Sequence, residues 1–312
     1  MPKQLLTIFG ATGNQGGSVA HTVLSSPTLS SKYAVRAITR SATKPSAQAL
    51  SSAGAEVIQA DLNDPSTLPA ALKDTAFLFA VTETNYGPNG KEPEFAQAKA
   101  LADAAVEAGV EYIIWSSMSH PHKISGGKLT SVVHFDVKAE VEAYIRGLPV
   151  KSAFFAPGAF MQNFLGMQAP RPSPEGDGSF VLANVFPAKT KVPLIDITET
   201  GKWVAAILEK PDEYEGKLFA AAEGLYTFPQ VVEIMSRVSG KTVKHVRVPD
   251  EVIKGHLPEG VRDMMYGMFV FQREYGYFGD SMEKDVLWAK EQAKGELTGL
   301  ESFLTGCSWK LE

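Results

Sequence analysis

Short apolar runs and longer stretches with helical spacing alternate through the first half of the chain. The runs are LLTIF (Leu5 to Phe9), AVRAIT (Ala34 to Thr39), AEVIQA (Ala55 to Ala60), AFLFAV (Ala76 to Val81) and YIIWSS (Tyr112 to Ser117). Near-continuous apolar runs of this length mark strands buried on both faces, as in a parallel sheet. Between them the spacing predicts helices, among them Gly16 to Ser25 and EFAQAKALADAAVEAG, which stops at Gly109. Asp64-Pro65 reads as an N-cap followed by proline at the first helical position. Strands alternating with helices imply βαβ units, hence an α/β fold on a doubly wound parallel sheet.

After about Lys151 the rhythm changes. VKSAFFAPG predicts a sixth strand ending at Pro157-Gly158, and the Pro- and Gly-rich QAPRPSPEGDGS then interrupts regular structure until about Phe180. Thr198 to Leu208 and Thr227 to Val238 read as helices, the second opened by a Thr227…Gln230 capping box. MMYGMFVFQREYGYFG, from Met264, concentrates aromatics and methionine, as either ordinary core or the wall of a substrate pocket. A smaller C-terminal region covering the cleft of the first is expected.

GATGNQGG, Gly10 to Gly17, directly follows the first strand and precedes a helix. Gly10, Gly13 and Gly16 stand three apart, the G-x-x-G-x-x-G form. Glycine permits a tight turn and close backbone approach, and a helix N-terminus offers free N–H groups to a pyrophosphate. The plain alternative is a strand-to-helix turn. An NAD site places an acidic residue at the end of the second strand, yet no Asp or Glu precedes Glu56. Arg36, Arg40 and Lys44 are there instead. Arg40 falls at the strand's carboxyl end, where a guanidinium can grip a ribose 2′-phosphate, unless it is only a solvated surface arginine. NADP(H) is therefore expected over NAD. Asp61, after the third strand, could reach an adenine edge or serve as a helix-approach cap. Thr82 ends the fourth strand and faces the same cleft by topology.

Composition narrows the function classes. The 312 residues are 44% hydrophobic and 21% charged, a globular composition, and a net charge of −5 argues against direct nucleic-acid binding. The sole cysteine, Cys307, excludes a disulfide framework and a cysteine-based zinc site, and reads as a packing residue. The first apolar piece is strand-sized, so neither a signal peptide nor a membrane span is expected. The expectation is a cytoplasmic protein, with nuclear entry also compatible.

No tyrosine has a lysine four positions later, so the Tyr-x-x-x-Lys pair of short-chain dehydrogenases is absent. The nearest arrangement is His134-Phe135-Asp136-Val137-Lys138, which puts His134 and Lys138 on one helix face. His134 could supply a proton to a reduced carbonyl or imine, or be a helix N-terminal polar residue without chemistry. Lys138 could contact the nicotinamide side or lie on the helix surface. Ser116 and Ser117 close the fifth strand, as substrate-polarising groups or simple loop entry. His120 and His122 lack further metal ligands at useful spacing and read as a solvated loop, so no metal is expected.

GATGNQGGSVA, VRAITRS, the Asp61-Leu62 pair, VVHFDVKAEVEAYIRG, PGAFMQNF and PLIDITETGKWVAAILEKPDEYEGK together resemble the NmrA-like family of atypical short-chain dehydrogenases. The resemblance covers most of the chain. It implies a Rossmann-type NADP-binding domain over 1–156 and a smaller, interleaved α+β region over 157–312. Elements at about 190–225 would return to the first sheet. It also implies that Gly10, Ala11, Thr12, Gly13, Asn14, Gln15 and Gly16 hold the pyrophosphate, and Arg40 with Lys44 the 2′-phosphate. Asp61 and Leu62 would flank the adenine, Thr82 would line the cleft, and Lys138 would meet the nicotinamide side. Phe160, Met161, Gln162 and Asn163 would close over the cofactor. TETNYGPN, after the fourth strand, departs from the family pattern and puts Asn85 and Tyr86 in doubt. Family members divide into regulators that read the NADP(H) ratio through protein partners and reductases of fungal specialised metabolism. An NADPH-dependent reductase of a small, largely apolar carbonyl, imine or enone is expected, with a non-catalytic redox sensor bound to a regulatory protein as the alternative.

Overall fold

Alternate residues of the apolar runs enter two different cores, which is why the runs carry no polar face. A computed structural model describes residues 2–87 and 89–311. The first six strands are β1 (Gln4–Ile8), β2 (Tyr33–Thr39), β3 (Glu56–Gln59), β4 (Phe77–Ala80), β5 (Tyr112–Ser116) and β6 (Lys151–Pro157). The helices among them are α1 (Asn14–Ser25), α2 (Pro27–Lys32), α3 (Pro45–Ser52), α4 (Leu68–Leu72), α5 (Lys91–Glu107), α6 (Pro121–Ile124) and α7 (Val133–Arg146). Then follow β7 (Ala159–Phe160), β8 (Arg171–Pro172), β9 (Phe180–Asn184), β10 (Lys191–Ile195), α8 (Thr200–Glu209), β11 (Leu218–Ala221), β12 (Gly224–Thr227) and α9 (Phe228–Ser239). The chain closes with β13 (Val243–Arg247), α10 (Asp250–His256), α11 (Arg262–Tyr275), α12 (Met282–Gln292) and α13 (Leu300–Gly306).

Seven strands form a parallel sheet in the order β11-β6-β5-β4-β1-β2-β3, a Rossmann-like, doubly wound arrangement. On β4, Phe77 and Phe79 join the core beneath α1 and α8, where Val23, Trp203 and Ile207 lie. Leu78 and Ala80 join the opposite core with Leu101 of α5 and Val141 of α7. Phe79 is wholly buried, so Phe79→Ala would cost about 3–5 kcal/mol. The strand order reverses between β1 and β4, and the crevice at their carboxyl ends is where such sheets take ligands.

The remaining strands make two small sheets, β12-β10-β7 and β13-β9-β8. They enclose a further core with α9 and α13, containing Phe164, Phe180, Leu194, Phe228 and Met235. Thr227 and Gln230 form the reciprocal capping box at the start of α9. Within the stretch at about 190–225, β11 pairs with β6 at the edge of the large sheet and α8 covers its face, whereas β10 belongs to a small sheet. Among the described residues, no helix is long and apolar enough to cross a membrane.

Candidate functional site

The turn between β1 and α1 is shaped by glycine. Gly10 has φ +68°, and a Cβ on Gly16 would lie 2.4 Å from the Gly10 carbonyl oxygen, so α1 begins hard against the end of β1. The Gly13 N–H closes the turn on Gly10 O at 2.9 Å. Gly13 is the N-cap and offers no side-chain cap, and the first turn of α1 has no acidic residue. The first backbone N–H groups of α1 therefore lack intrahelical partners and lie at a positive helix end.

This turn lines a cleft of about 870 Å³ that also touches Arg40, Asp61, Leu62, Thr82, Glu83 and Phe160. Gly10, Thr12, Gly13, Asn14, Gln15 and Gly16 line it, while Ala11 is buried against the core instead. Arg40 stands just beyond β2 with its side chain 64% exposed, and its Nη2 lies 3.3 Å from Glu83 Oε2. Arg36, the other arginine of that segment, is no ligand for solvent phosphate. Its Nε donates to Glu56 Oε2 at 2.8 Å and its Nη1 to the carbonyls of Ala71 and Lys73. Lys44 does not line the cleft; it is the exposed residue preceding α3, where Pro45 starts the helix. Asp61 lines the cleft and also caps its own turn, accepting from Asn63 N at 2.9 Å.

A second cavity of about 300 Å³ adjoins the first, and Gln15, Val81, Thr82, Thr84, Tyr86 and Phe160 face both. Its floor comes from α7 and its walls from the small sheets and α11. Gln15 is fixed at the junction by the Ser116 hydroxyl, which donates to Gln15 Oε1 at 2.7 Å. Ser117 turns away and donates to Glu142 at 2.5 Å. Met265, Met268, Phe269 and Gln272 of α11 line the cavity, whereas Met264 and Phe271 of the same helix pack into core. The aromatic and methionine-rich segment is thus core on one face and pocket wall on the other.

Lys138 is buried beside this junction. Its Nζ donates to Glu94 Oε1 at 2.6 Å, to Thr82 O at 3.0 Å and to Thr82 Oγ1 at 3.0 Å. Thr82 in turn donates to Glu94 Oε1 at 2.7 Å. An ammonium has three protons, and all three are engaged within the protein. Lys138 is therefore not a surface lysine, and it has no donor left for a nicotinamide ribose without breaking this cluster. Burial lowers its pKa while Glu94 opposes that shift.

His134 lies in the first turn of α7 and is 9% exposed. Its Nδ1 is buried with no hydrogen-bond partner, and its ring borders the second cavity. Burial first, and the Lys138 charge second, push its pKa down to about 4. With its pKa lowered, the ring is neutral near pH 7 and faces the second cavity as a hydrogen-bond partner.

Other expectations change as well. Met161 is wholly buried among Phe164, Leu194 and Phe228, and does not reach either cavity, because it is the inward-facing residue of the turn. Gln162 donates to Asp196 at 2.7 Å and likewise lines neither cavity, while Phe160 and Asn163 do face the second one. His120 is no solvated loop residue: its Nδ1 lies 2.6 Å from Asp136 Oδ1, with both side chains nearly buried. Cys307 is exposed and not a packing residue. No group of three or more potential metal ligands is found among the described residues. Sequence reasoning missed Glu94, which looked like an ordinary acid in a helix first turn, and the rings of Phe186, Tyr226 and Phe228, which carry no chemical motif.

Comparison with known proteins gives a consistent picture. The sequence model of the NmrA-like family matches residues 2–304. The NmrA-like family domain-containing oxidoreductase cpsB of Aspergillus campestris is 32% identical over 261 residues, covering 78% of this chain and 76% of its own. An NmrA-like family domain-containing protein of Dictyostelium discoideum is 29% identical over the whole of both chains. Among solved structures, the negative transcriptional regulator NmrA in complex with NADP superposes with a TM-score of 0.79 at 23% identity, over 97% of this chain and 94% of that one. Citrobacter sp. triphenylmethane reductase complexed with NADP(H) has a TM-score of 0.75 at 22% identity, over 97% and 99%. At these identities the structural likeness speaks for the fold.

Proposed function

The chain belongs to the NmrA-like family, and from that premise we propose that it is an NADP(H)-dependent oxidoreductase acting on a small, largely apolar carbonyl, imine or enone. The carrying observation is the pair of cavities with a common wall, one lined by the glycine turn and Arg40 and one lined mostly by apolar side chains. The glycine turn fits a pyrophosphate: the space that a Cβ on Gly16 would fill is taken by backbone, and the free N–H groups of α1 face the cleft. Arg40 supports a 2′-phosphate, with Glu83 giving up its contact, and Asp61 and Leu62 flank the adenosine end. When bound, NADPH supplies a hydride. Gln15, Thr82 and Phe160, common to both cavities, would border the reacting carbon. Lys138 and Glu94 fix Thr82, and His134 meets the substrate as a neutral imidazole. The NADP-bound state of the structural neighbours NmrA and triphenylmethane reductase supports this cofactor.

Calorimetry with purified protein tests the reading. Micromolar uptake of NADPH, followed by its consumption in the presence of an apolar imine or ketone, is expected. No uptake of either NADP form would overturn it. The missing Tyr-x-x-x-Lys pair favours a second reading, a redox sensor that meets a regulatory protein. Such a protein must bind NADPH and NADP⁺ with different affinities and need consume neither.

A further inference from the structure

The second cavity is short of charge and rich in π faces. Among its described lining residues the single charged side chain is Lys138, and that charge is matched by Glu94 at 2.6 Å. Phe135, Phe164, Phe186, Phe228, Phe269 and Tyr277 contribute rings. Phe186 stacks on Phe228 with centroids 5.0 Å apart and meets Phe269 edge-on at 5.9 Å, so three rings form one continuous wall. Met118, Met265 and Met268 add polarizable sulfur. An anion entering here would find no free counter-ion and the negative faces of the rings. A soft, delocalised cation finds those same faces favourable.

Among its described lining residues, the amine, imidazole and phenol groups are held where they do not readily yield a proton near neutrality. Every N–H of Lys138 is spent on Glu94 and Thr82. His134 is held neutral by burial and by Lys138. The Tyr277 phenol is pushed up by burial and then by its neighbour Tyr86, and Tyr86 is itself raised by partial burial and by Glu94. Tyr226, raised by burial and then by Glu223, donates its hydroxyl to that carboxylate. Reducing a ketone places negative charge on oxygen and calls for such a proton. Reducing an iminium does not.

We propose that this cavity receives an aryl-substituted iminium cation, recognised by the Phe186–Phe228–Phe269 wall and reduced without a proton from the protein. The inference rests on the oxidoreductase reading and narrows its substrate. In the step, the electron pair of the hydride forms a C–H bond at the iminium carbon. The C=N π pair becomes a lone pair on nitrogen, leaving a neutral amine. The positive charge lost by the substrate appears on NADP⁺, and no proton enters or leaves.

The test uses the protein saturated with unreactive tetrahydro-NADP and three bicyclic probes of similar size: N-methyl-dihydroisoquinolinium, α-tetralone and α-naphthoate. Calorimetry should show the cation bound about 10-fold tighter than the ketone, with the carboxylate undetectable. Phe269→Leu should cut cation affinity about 5-fold and leave ketone affinity within about 2-fold, thermal melting confirming a folded variant. With NADPH, reduction of the cation should be flat between about pH 6 and 9, with a solvent deuterium effect of about 1. Equal or tighter binding of the ketone, an unaltered cation preference in Phe269→Leu, or a solvent effect of about 2 or more would overturn the proposal. Failure to bind NADPH at all would instead remove the oxidoreductase reading beneath it.

Discussion

Replacing Arg40 by alanine separates the two nicotinamide cofactors. The guanidinium stands past β2, 64% exposed, with Glu83 as its sole ion-pair partner among the described residues. An exposed pair of this kind contributes about 0–1 kcal/mol, so little is lost when Glu83 yields. A bidentate, charge-assisted contact to a phosphate contributes about 1.5–3 kcal/mol, and exposure at the cleft mouth reduces that to about 1–2 kcal/mol. Arg40→Ala should therefore weaken NADPH about 5- to 30-fold and NADH less than about 2-fold. Glu83→Gln should do the reverse, tightening NADPH about 2- to 3-fold by freeing Arg40. Titration calorimetry at low and high salt reads both effects, and the wild-type preference for NADPH should shrink as salt rises. Equal losses for the two cofactors, or a salt-independent preference, would refute the placement of the 2′-phosphate at Arg40.

Three further outcomes are expected. Gly16→Ala forces a methyl to within 2.4 Å of the Gly10 carbonyl, so it should cost about 1–3 kcal/mol in urea unfolding and abolish dinucleotide uptake; a stable variant with normal affinity would contradict the close approach. His134 has a folded pKa of about 4 against an ordinary 6.5, so its stabilisation is full above about pH 6.5 and declines as pH falls through about 4. The span amounts to about 3 kcal/mol, and urea midpoints across that range should fall more steeply for the wild type than for His134→Gln. Lys138→Met or Glu94→Leu alone strands a buried charge and should cost about 3–5 kcal/mol, whereas the double variant should recover most of that in thermal melts. Additive losses would show that the two groups are not coupled.

The frame of the molecule was legible because its signals are local. A buried strand must be apolar on both faces, and a glycine turn before a helix has few other uses, so β1 to β6 and the cleft could be placed from single segments. Side-chain partners across the fold could not. Arg36 and Arg40 look alike in the sequence, but Arg36 lies opposite Glu56 in the β2–β3 register and is consumed there. Lys138 was expected at the cofactor from its helix spacing, yet its partner Glu94 comes from a helix 44 residues earlier. His120 met its carboxylate the same way, across the start of α7. The Phe160 to Asn163 turn had to point somewhere, and only the packing of the small sheets decided that Met161 goes inward.

The return of β11 to the large sheet, after the chain has already built β7 to β10 elsewhere, has a consequence for anyone cutting the protein apart. A fragment stopped at Pro157 would leave β6 as an unpaired border, stripped of its neighbour and of the α8 cover that holds Trp203, and would invite edge-to-edge aggregation. Exchanging the two small sheets for those of a relative takes more than one splice, because the thread passes back through the seven-stranded sheet before finishing. Specificity in this architecture is accordingly easier to retune by changing side chains in place than by transplanting a module.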